Sequence, residues 1–319
     1  MKTSFYTGDL QQLETDLVAL GSFEDQVSAV RELSTLDRAF DGGLTELLGE
    51  EEFKGKSGQT VLLHTHGRVP AKRLLIVGLG KRSEFDVPDI RGYGAAIVEA
   101  ATKTRVRDVS VVLPPLDATA TERCSRFLCE GLHLGAYRFD HYQAEDARKR
   151  PCIEKVSIVL SADQSQPHIA VAQGEVVARA VNRARDLVNE PPSTLTPSAL
   201  AEYARELAKS EDLECTILGP KDCEKHKMGL YLAVSRASQE EPRFIHLVYR
   251  PKGKATPRRI ALIGKGVTFD SGGLSLKPSA GMLDMKADMA GAAAGLGAGF
   301  PGYHRPPAGH ESSENPHRL

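Results

Sequence analysis

The stretch that decides the fold class is RLLIVGLGKRSEFDVPDIRGYGAAIVEAATKTRVRDVSVVLPP, residues 73–115. It opens with a short apolar run, Arg73–Gly80, and ends with another, Val109–Leu113, which is closed by Pro114. Between the two runs, Ile90–Thr102 spaces its apolar residues as one face of an α-helix does. A strand, a helix and a further strand in this order predict an α/β layer with a mostly parallel sheet.

The same alternation extends to both sides of this stretch. Further strands are predicted at Thr60–His64, Val156–Leu160, Glu214–Leu218, Phe244–Tyr249 and Ile260–Ile263. Further helices are predicted at Thr121–Leu134, Ala170–Val188 and Ser198–Lys209, the last with Thr196 as its N-cap and proline at its first position. The polar stretch 161–168 contains a proline and predicts a domain boundary. We therefore expect an amino-terminal α/β domain over residues 1–165.

Length, composition and charge argue against several classes of protein. The chain has 319 residues, of which 41% are hydrophobic and 26% are charged, and its formal net charge is -1. This balance gives no reason to expect a nucleic-acid or anionic-membrane partner. No apolar run approaches the roughly 20 residues that span a bilayer, and the amino terminus lacks the apolar core of a signal peptide. We expect a cytoplasmic protein with no membrane partner.

The cysteines indicate a reducing compartment. The five cysteines are scattered along the chain, and none of them forms a CxxC pair: Cys124, Cys129, Cys152, Cys215 and Cys223. Their odd number and irregular spacing favour free thiols over a disulfide framework or a zinc site.

A second stretch, GKGVTFDSGG at residues 264–273, carries the candidate chemistry. Lys265 and Asp270 fall just past the predicted strand Ile260–Ile263, where ligands gather in open α/β sheets. Asp288 stands beside a run of small residues that we expect to be helical. Carboxylates and a neutral lysine amine can bind Zn²⁺, Mg²⁺ or Mn²⁺, and a charged Lys277 can hold a developing oxyanion. By residue type alone, solvated turn residues are the more common interpretation of Asp, Lys and Gly in a loop.

The ordered string GKGVTFDSGGLSLKPSAGMLDMKADMAGAAA, residues 264–294, closely resembles the signature of the leucyl (cytosol) aminopeptidase family of two-metal exopeptidases. Three other stretches agree with that family in the same order: GLHLGAYRFD from Gly131, ARDLVNEPPSTLTPSALAEYA from Ala184 and KMGLYLAVSRASQEEPRFIHLVYRP from Lys227. The resemblance covers roughly Arg73 to Ala294.

The resemblance implies removal of amino-terminal residues from peptide substrates, with two divalent metal ions, Zn or Mn, as cofactors. It implies metal ligands at Lys265, Asp270 and Asp288, a catalytic lysine at Lys277, and substrate-pocket side chains near Met282. It also implies a homo-hexamer and a catalytic domain around a mixed central sheet. We expect residues 170–294 to form the first part of that domain.

The sequence also departs from the family pattern. The family's later segment, approximately Asn-Thr-Asp-Ala-Glu-Gly-Arg, supplies further carboxylates to the metals, and this sequence lacks it. Residues 295–319 are rich in Gly, Pro, Ser and His, and this composition predicts a disordered tail outside the family pattern. The tail histidines and glutamate match no familiar ligand spacing: His304, His310, Glu311 and His317. We expect a chain truncated within the catalytic domain. The alternative hypothesis is an inactive family member that acts as a binding or regulatory subunit.

Overall fold

The computed structural model describes residues 1–24, 31–114, 120–148, 152–160, 166–250 and 259–298. The chain divides into two units, residues 1–178 and 179–319. The predicted tail falls almost entirely outside the described residues, because only 295–298 are described, and they end a helix. The four tail residues considered as ligands therefore also lie outside them.

The first unit is built on a six-stranded sheet with the order β1-β6-β5-β2-β4-β3. Its strands are β1 (Lys2–Tyr6), β2 (Leu17–Ser22), β3 (Thr60–His64), β4 (Arg73–Gly78), β5 (Asp108–Val112) and β6 (Lys155–Val159). All neighbours are parallel except β3, which pairs antiparallel with β4. The predicted α/β class is confirmed, and the mostly parallel order is that expected for strands joined through helices.

The helices of the described residues are α1 (Arg31–Ala39), α2 (Gly43–Glu50), α3 (Ile90–Thr104), α4 (Thr121–Gly135), α5 (Glu145–Arg148), α6 (His168–Asn189), α7 (Pro197–Glu211), α8 (Pro220–Lys225), α9 (Gly229–Ser235), α10 (Ser279–Met282) and α11 (Ala290–Ala298). Short 3-10 turns lie at Leu10–Gln12, Val87–Asp89 and Met285–Met289. None of the described helices is both long and apolar enough to cross a membrane.

Strand β2 lies in the middle of the sheet and contributes side chains to a separate apolar core on each face. Every one of its residues is buried. Leu17 and Ala19 join the apolar cluster that includes α3 and α4, whereas Val18 and Leu20 join the cluster that includes α1 and α2. Successive side chains of a strand point to opposite faces, so one short strand stabilises both layers of helices.

Helices α3 and α4 pack so closely that glycine is required at their contact. A Cβ atom at Gly131 of α4 would lie 2.4 Å from the backbone oxygen of Arg91 in α3. A Cβ atom at Gly94 of α3 would lie 2.8 Å from the backbone nitrogen of Leu132. The same contact is held by a buried carboxylate, since Glu130 is 1% exposed and accepts hydrogen bonds from Arg91 and Arg126.

The second unit contains α7 and a two-stranded antiparallel sheet, β7 (Glu214–Leu218) with β8 (Phe244–Val248). The predicted cap is confirmed, because the Thr196 hydroxyl accepts a hydrogen bond from the Ala199 N–H at 3.2 Å. Eight buried apolar residues among the described part of this unit form a small cluster: Leu187, Leu195, Leu200, Ala204, Leu207, Met289, Ala293 and Leu296.

The strand predicted at Ile260–Ile263 is wrong. The described residues 259–298 contain no strand, and Ile260 and Ile263 are 89% and 96% exposed. A strand exists only when a neighbour supplies its hydrogen-bond partners, and β7 and β8 pair with each other instead. The candidate residues after this run are therefore not positioned by a strand end.

Candidate active site

Close backbone packing against α11 positions the first part of the candidate site. A Cβ atom at Gly264 would lie 2.3 Å from the backbone oxygen of Gly291, so both glycines are needed for this approach. The N–H of Ala292 donates to the backbone oxygen of Lys265 at 2.8 Å. The backbone of residues 264–266 therefore packs against the small residues of α11, and this packing holds Lys265 at the beginning of that helix.

A tight loop positions the second part. Gly272 and Gly273 have φ of 93° and 77°, in the left-handed region that glycine adopts without strain. The Asp270 carboxylate accepts a hydrogen bond from the Gly272 N–H at 2.9 Å, and the Lys277 N–H donates to the Ser271 backbone oxygen at 2.9 Å. The closed loop brings Lys277 back over Asp270.

The four predicted site residues form two lysine–carboxylate pairs. The Nζ of Lys277 lies 2.7 Å from Oδ2 of Asp270, and the Nζ of Lys265 contacts Oδ2 of Asp288. Lys277 and Asp288 are partly sheltered, with side chains 28% and 20% exposed, while Lys265 is 58% exposed. Residues separated by up to 23 positions along the chain are thus brought into contact.

The electrostatics of Asp270 join the two pairs. The hydrogen bond from Lys277 holds the pKa of the Asp270 carboxyl below its usual range, and the Gly272 N–H acts in the same direction. The positive charge of Lys265 also contributes to the lowered pKa. Asp270 is therefore anionic at neutral pH, which is the state that a metal ligand requires.

These donors fit a divalent cation in part. Asp270 and Asp288 offer the hard carboxylate oxygens that Zn²⁺ and Mn²⁺ accept. Lys265 can add an amine only in its neutral form, which a nearby cation favours by disfavouring the ammonium. The two carboxylates balance the charge of one divalent ion, and a pair of such ions needs further anionic donors.

Two contacts of the site were not predicted from the sequence. Met285 places its sulfur 3.2 Å from the Nζ of Lys277. Lys286 donates to the backbone oxygen of Asn189 at 2.7 Å, which ties the 3-10 turn to the end of α6. A methionine and a lysine in a loop give no sequence signal for such contacts, because both depend on which distant backbone lies beside them.

Two models of one known protein family match this chain. The model of the cytosol aminopeptidase family, catalytic domain, matches residues 182–300, and the model of the N-terminal domain of the same family matches residues 19–146. The two matches together cover most of the chain and include all four candidate residues. The chain belongs to the cytosol aminopeptidase family.

Individual relatives show the same similarity. A probable cytosol aminopeptidase of Alkaliphilus oremlandii is 37% identical over 308 residues, which are 93% of this chain and 60% of that protein. A probable cytosol aminopeptidase of Cyanothece sp. is 40% identical over 89% of this chain and 57% of its own length. The chain therefore spans about 60% of the length of the curated relatives it matches.

Solved structures share the fold. A mutant of tomato leucine aminopeptidase superposes with a TM-score of 0.81 at 31% identity, over 93% of this chain and 58% of the tomato chain. The bottromycin maturation enzyme BotP in complex with Mn superposes with a TM-score of 0.68 at 34% identity, over 89% of this chain and 55% of that chain.

Proposed function

We propose that this protein is a metal-dependent aminopeptidase that removes amino-terminal residues from peptides. The observation that carries the proposal is the pairing of Lys277 with Asp270 and of Lys265 with Asp288, with the charge of Lys265 also acting on Asp270. These residues lie in the segment that matches the catalytic-domain model. Support also comes from relatives that are named cytosol aminopeptidases.

The proposed roles follow from chemistry and placement. Asp270, Asp288 and neutral Lys265 would hold divalent ions, Zn²⁺ or Mn²⁺. When bound, such ions polarise a scissile carbonyl and generate a nucleophile from water. Lys277 would donate a hydrogen bond to the carbonyl oxygen as negative charge develops on it. Gly273 has no side chain, and a Cβ atom there would meet nothing within 4 Å, so a peptide backbone could approach the loop closely at this position.

The proposed partners are peptides, and the proposed location is the cytoplasm, in line with the names of the relatives. The family resemblance further suggests a homo-hexamer that uses two metal ions per active site. The described carboxylates offset the charge of only one such ion, so full two-metal occupancy would depend on additional anionic ligands.

The test is hydrolysis of leucine p-nitroanilide by the full chain, with Mn²⁺ or Zn²⁺ added after chelator treatment. We expect metal-dependent turnover that falls at least about 100-fold in Lys277→Ala, the scale of losing one oxyanion donor. Lys225→Ala is the matched control, because Lys225 is 77% exposed and forms an i,i+3 pair with its helical neighbour Asp222 at 3.4 Å. The control variant should keep wild-type turnover.

Metal binding separates the possible outcomes. Calorimetric titration with Mn²⁺ should show binding that weakens at least about tenfold in Asp288→Asn, because a ligand charge is lost. Turnover that is equal in Lys277→Ala and wild type would contradict the proposed catalytic role. A folded chain without turnover or metal binding would contradict the enzyme proposal and favour the binding or regulatory subunit.

A further inference from the structure

Three metal-ligating side chains meet in the first unit, remote in sequence from the candidate active site. They are Cys129 and His133, one turn apart on α4, and Glu175 on α6. One ligand atom from each lies within 4.8 Å of the other two. The Nε2 of His133 and Oε1 of Glu175 are 4.0 Å apart.

The two helices converge at this point because α6 presents a glycine there. A Cβ atom at Gly174 would lie 2.5 Å from the Arg126 backbone oxygen and 3.1 Å from the Cβ of Cys129. Only glycine permits this approach, and it places the next residue, Glu175, over the Cys129–His133 turn. The hydroxyl of Thr3 in β1 donates to Oε1 of Glu175 at 3.5 Å and steadies the carboxylate from a third element.

We propose that Cys129, His133 and Glu175 form a binding site for a soft divalent cation, with Zn²⁺ as the preferred ion. Residues at i and i+4 on a helix share one face, so a thiolate and an imidazole one turn apart can bind one ion. Thiolate and imidazole ligands select Zn²⁺ over Mg²⁺, Ca²⁺ and Mn²⁺. Three protein ligands leave the fourth tetrahedral position to water.

The spacing suits such an ion after a small adjustment. Zn–S and Zn–N bonds of about 2.3 and 2.0 Å place tetrahedral ligand atoms closer together than they are here, so the side chains must close by about 1 Å. Glu175 can move toward the other two ligands, because its side chain is 37% exposed. Cys129 is 1% exposed and forms the fixed point of the site.

Charge also balances at the site. Binding would convert the Cys129 thiol to a thiolate, with its proton released to solvent, so the thiolate and Glu175 together offset one divalent ion. The neighbouring carboxylate of Glu130 is already paired with Arg91 and Arg126 and does not compete. Without an ion, burial and the nearby charges of Glu175 and Glu130 raise the pKa of the Cys129 thiol, which therefore stays protonated.

The proposed site differs from the prediction made from the cysteine spacing. The sequence favours free thiols, because none of the five cysteines forms a recognisable ligand motif. The third ligand, Glu175, stands far along the chain from Cys129, and no sequence pattern links them. Only the packing of α4 against α6 brings the three side chains together.

The experiment is titration of the chelator-treated full chain with Co²⁺, followed by absorbance. A cysteine ligand gives a thiolate-to-cobalt charge-transfer band, which the lysine and aspartates of the candidate active site cannot produce. We expect the band to reach full intensity when this site holds one Co²⁺ in each chain, and to disappear when Zn²⁺ is added. The band should persist in the double variant Asp270→Asn/Asp288→Asn, which removes the two carboxylates of the candidate active site.

Matched variants decide the assignment. Cys129→Ser should abolish the band, while Cys124→Ser, an equally buried cysteine on the same helix, should leave it unchanged. Glu175→Gln, which keeps the size of a side chain that is 37% exposed, should weaken Co²⁺ binding at least about tenfold. The proposal is overturned if the folded chain gives no band, if the band survives Cys129→Ser, or if Glu175→Gln binds Co²⁺ as the parent chain does.

Discussion

Among the described residues of the first unit, Glu130 is the most deeply buried carboxylate that forms an ion pair. Its side chain is 1% exposed. Oε2 of Glu130 lies 2.6 Å from a guanidinium nitrogen of Arg91, and Oε1 lies 3.0 Å from Arg126. A buried ionised group is tolerated only when its partners satisfy it. The pairing therefore specifies how α3 and α4 meet, besides the apolar surface that they bury.

We expect Glu130→Gln to lower the free energy of unfolding by about 3 kcal/mol, because one partner of a buried pair is lost while the arginines remain. Urea denaturation monitored by circular dichroism measures the change. The control is Glu99→Gln, which removes an exposed i,i+4 pair with Lys103 and should change the free energy of unfolding far less, because solvent screens that pair. Equal losses in the two variants would show that burial does not matter here.

A surface pair should make stability depend on acid pH. The hydrogen bond from Lys72, at 2.6 Å, holds the pKa of the Asp16 carboxyl below its usual range. A carboxyl with a depressed folded pKa stabilises the protein above its unfolded pKa, about 3.9, and that stabilisation is lost as the pH falls through the folded pKa. The contribution is present at neutral pH.

Asp16→Asn should accordingly be destabilised by about 0.5 kcal/mol at pH 7, since Lys72 is 70% exposed and solvent screens the pair. The difference from wild type should shrink below about pH 4. Urea unfolding across this range measures it, and Lys72→Met should produce the same pattern. A difference that stays constant down to the lowest pH would argue against ionic coupling.

Among the elements, the contact between helices α3 and α4 requires glycine at the positions where the two backbones approach each other. We expect Gly131→Ala to destabilise the protein by about 2 kcal/mol, because the added methyl group meets the Arg91 backbone, which cannot move aside cheaply. Gly92 in α3 is the matched control, since a Cβ atom there meets nothing within 4 Å. Gly92→Ala should stabilise by about 0.5–1 kcal/mol through helix propensity. Thermal unfolding of both variants checks the opposite signs.

Element prediction succeeded where the local pattern was strong. β3 and β7 have the predicted bounds, β4 ends at Gly78, two residues before the predicted end, and α3 extends the predicted helix by two residues to Thr104. β1 and β2 were not predicted, although β2 is the central strand. β2 is buried on both faces because elements distant in the sequence cover it. Ile260–Ile263 is the opposite case, since this apolar run pairs with no strand among the described residues.

At the scale of the whole molecule, the two units differ in how much core they contain. The first unit has two large apolar clusters around six strands, and the second has one small cluster beside two strands. An isolated strand pair is marginally stable on its own. We therefore expect the backbone of β7 and β8 to open more readily than that of β2 and β4.

Hydrogen exchange followed by mass spectrometry measures this difference. Peptides that contain β2 and β4 should exchange at least about tenfold more slowly than peptides that contain β7 and β8, because core strands open only with global unfolding. The edge strand β3 of the same sheet serves as an internal comparison. Equal protection across both sheets would mean that the second unit is as stable as the first.

The sequence by itself determined the α/β class, the family resemblance and the identity of the four candidate site residues, because these depend on local periodicity and on an uninterrupted motif. Only the tertiary structure decided that Lys265 meets Asp288 while Lys277 meets Asp270, that β2 is central, and that Cys129, His133 and Glu175 converge. These features depend on which distant surfaces pack together, and the free energy of that packing is shared among many residues, so no short stretch encodes it.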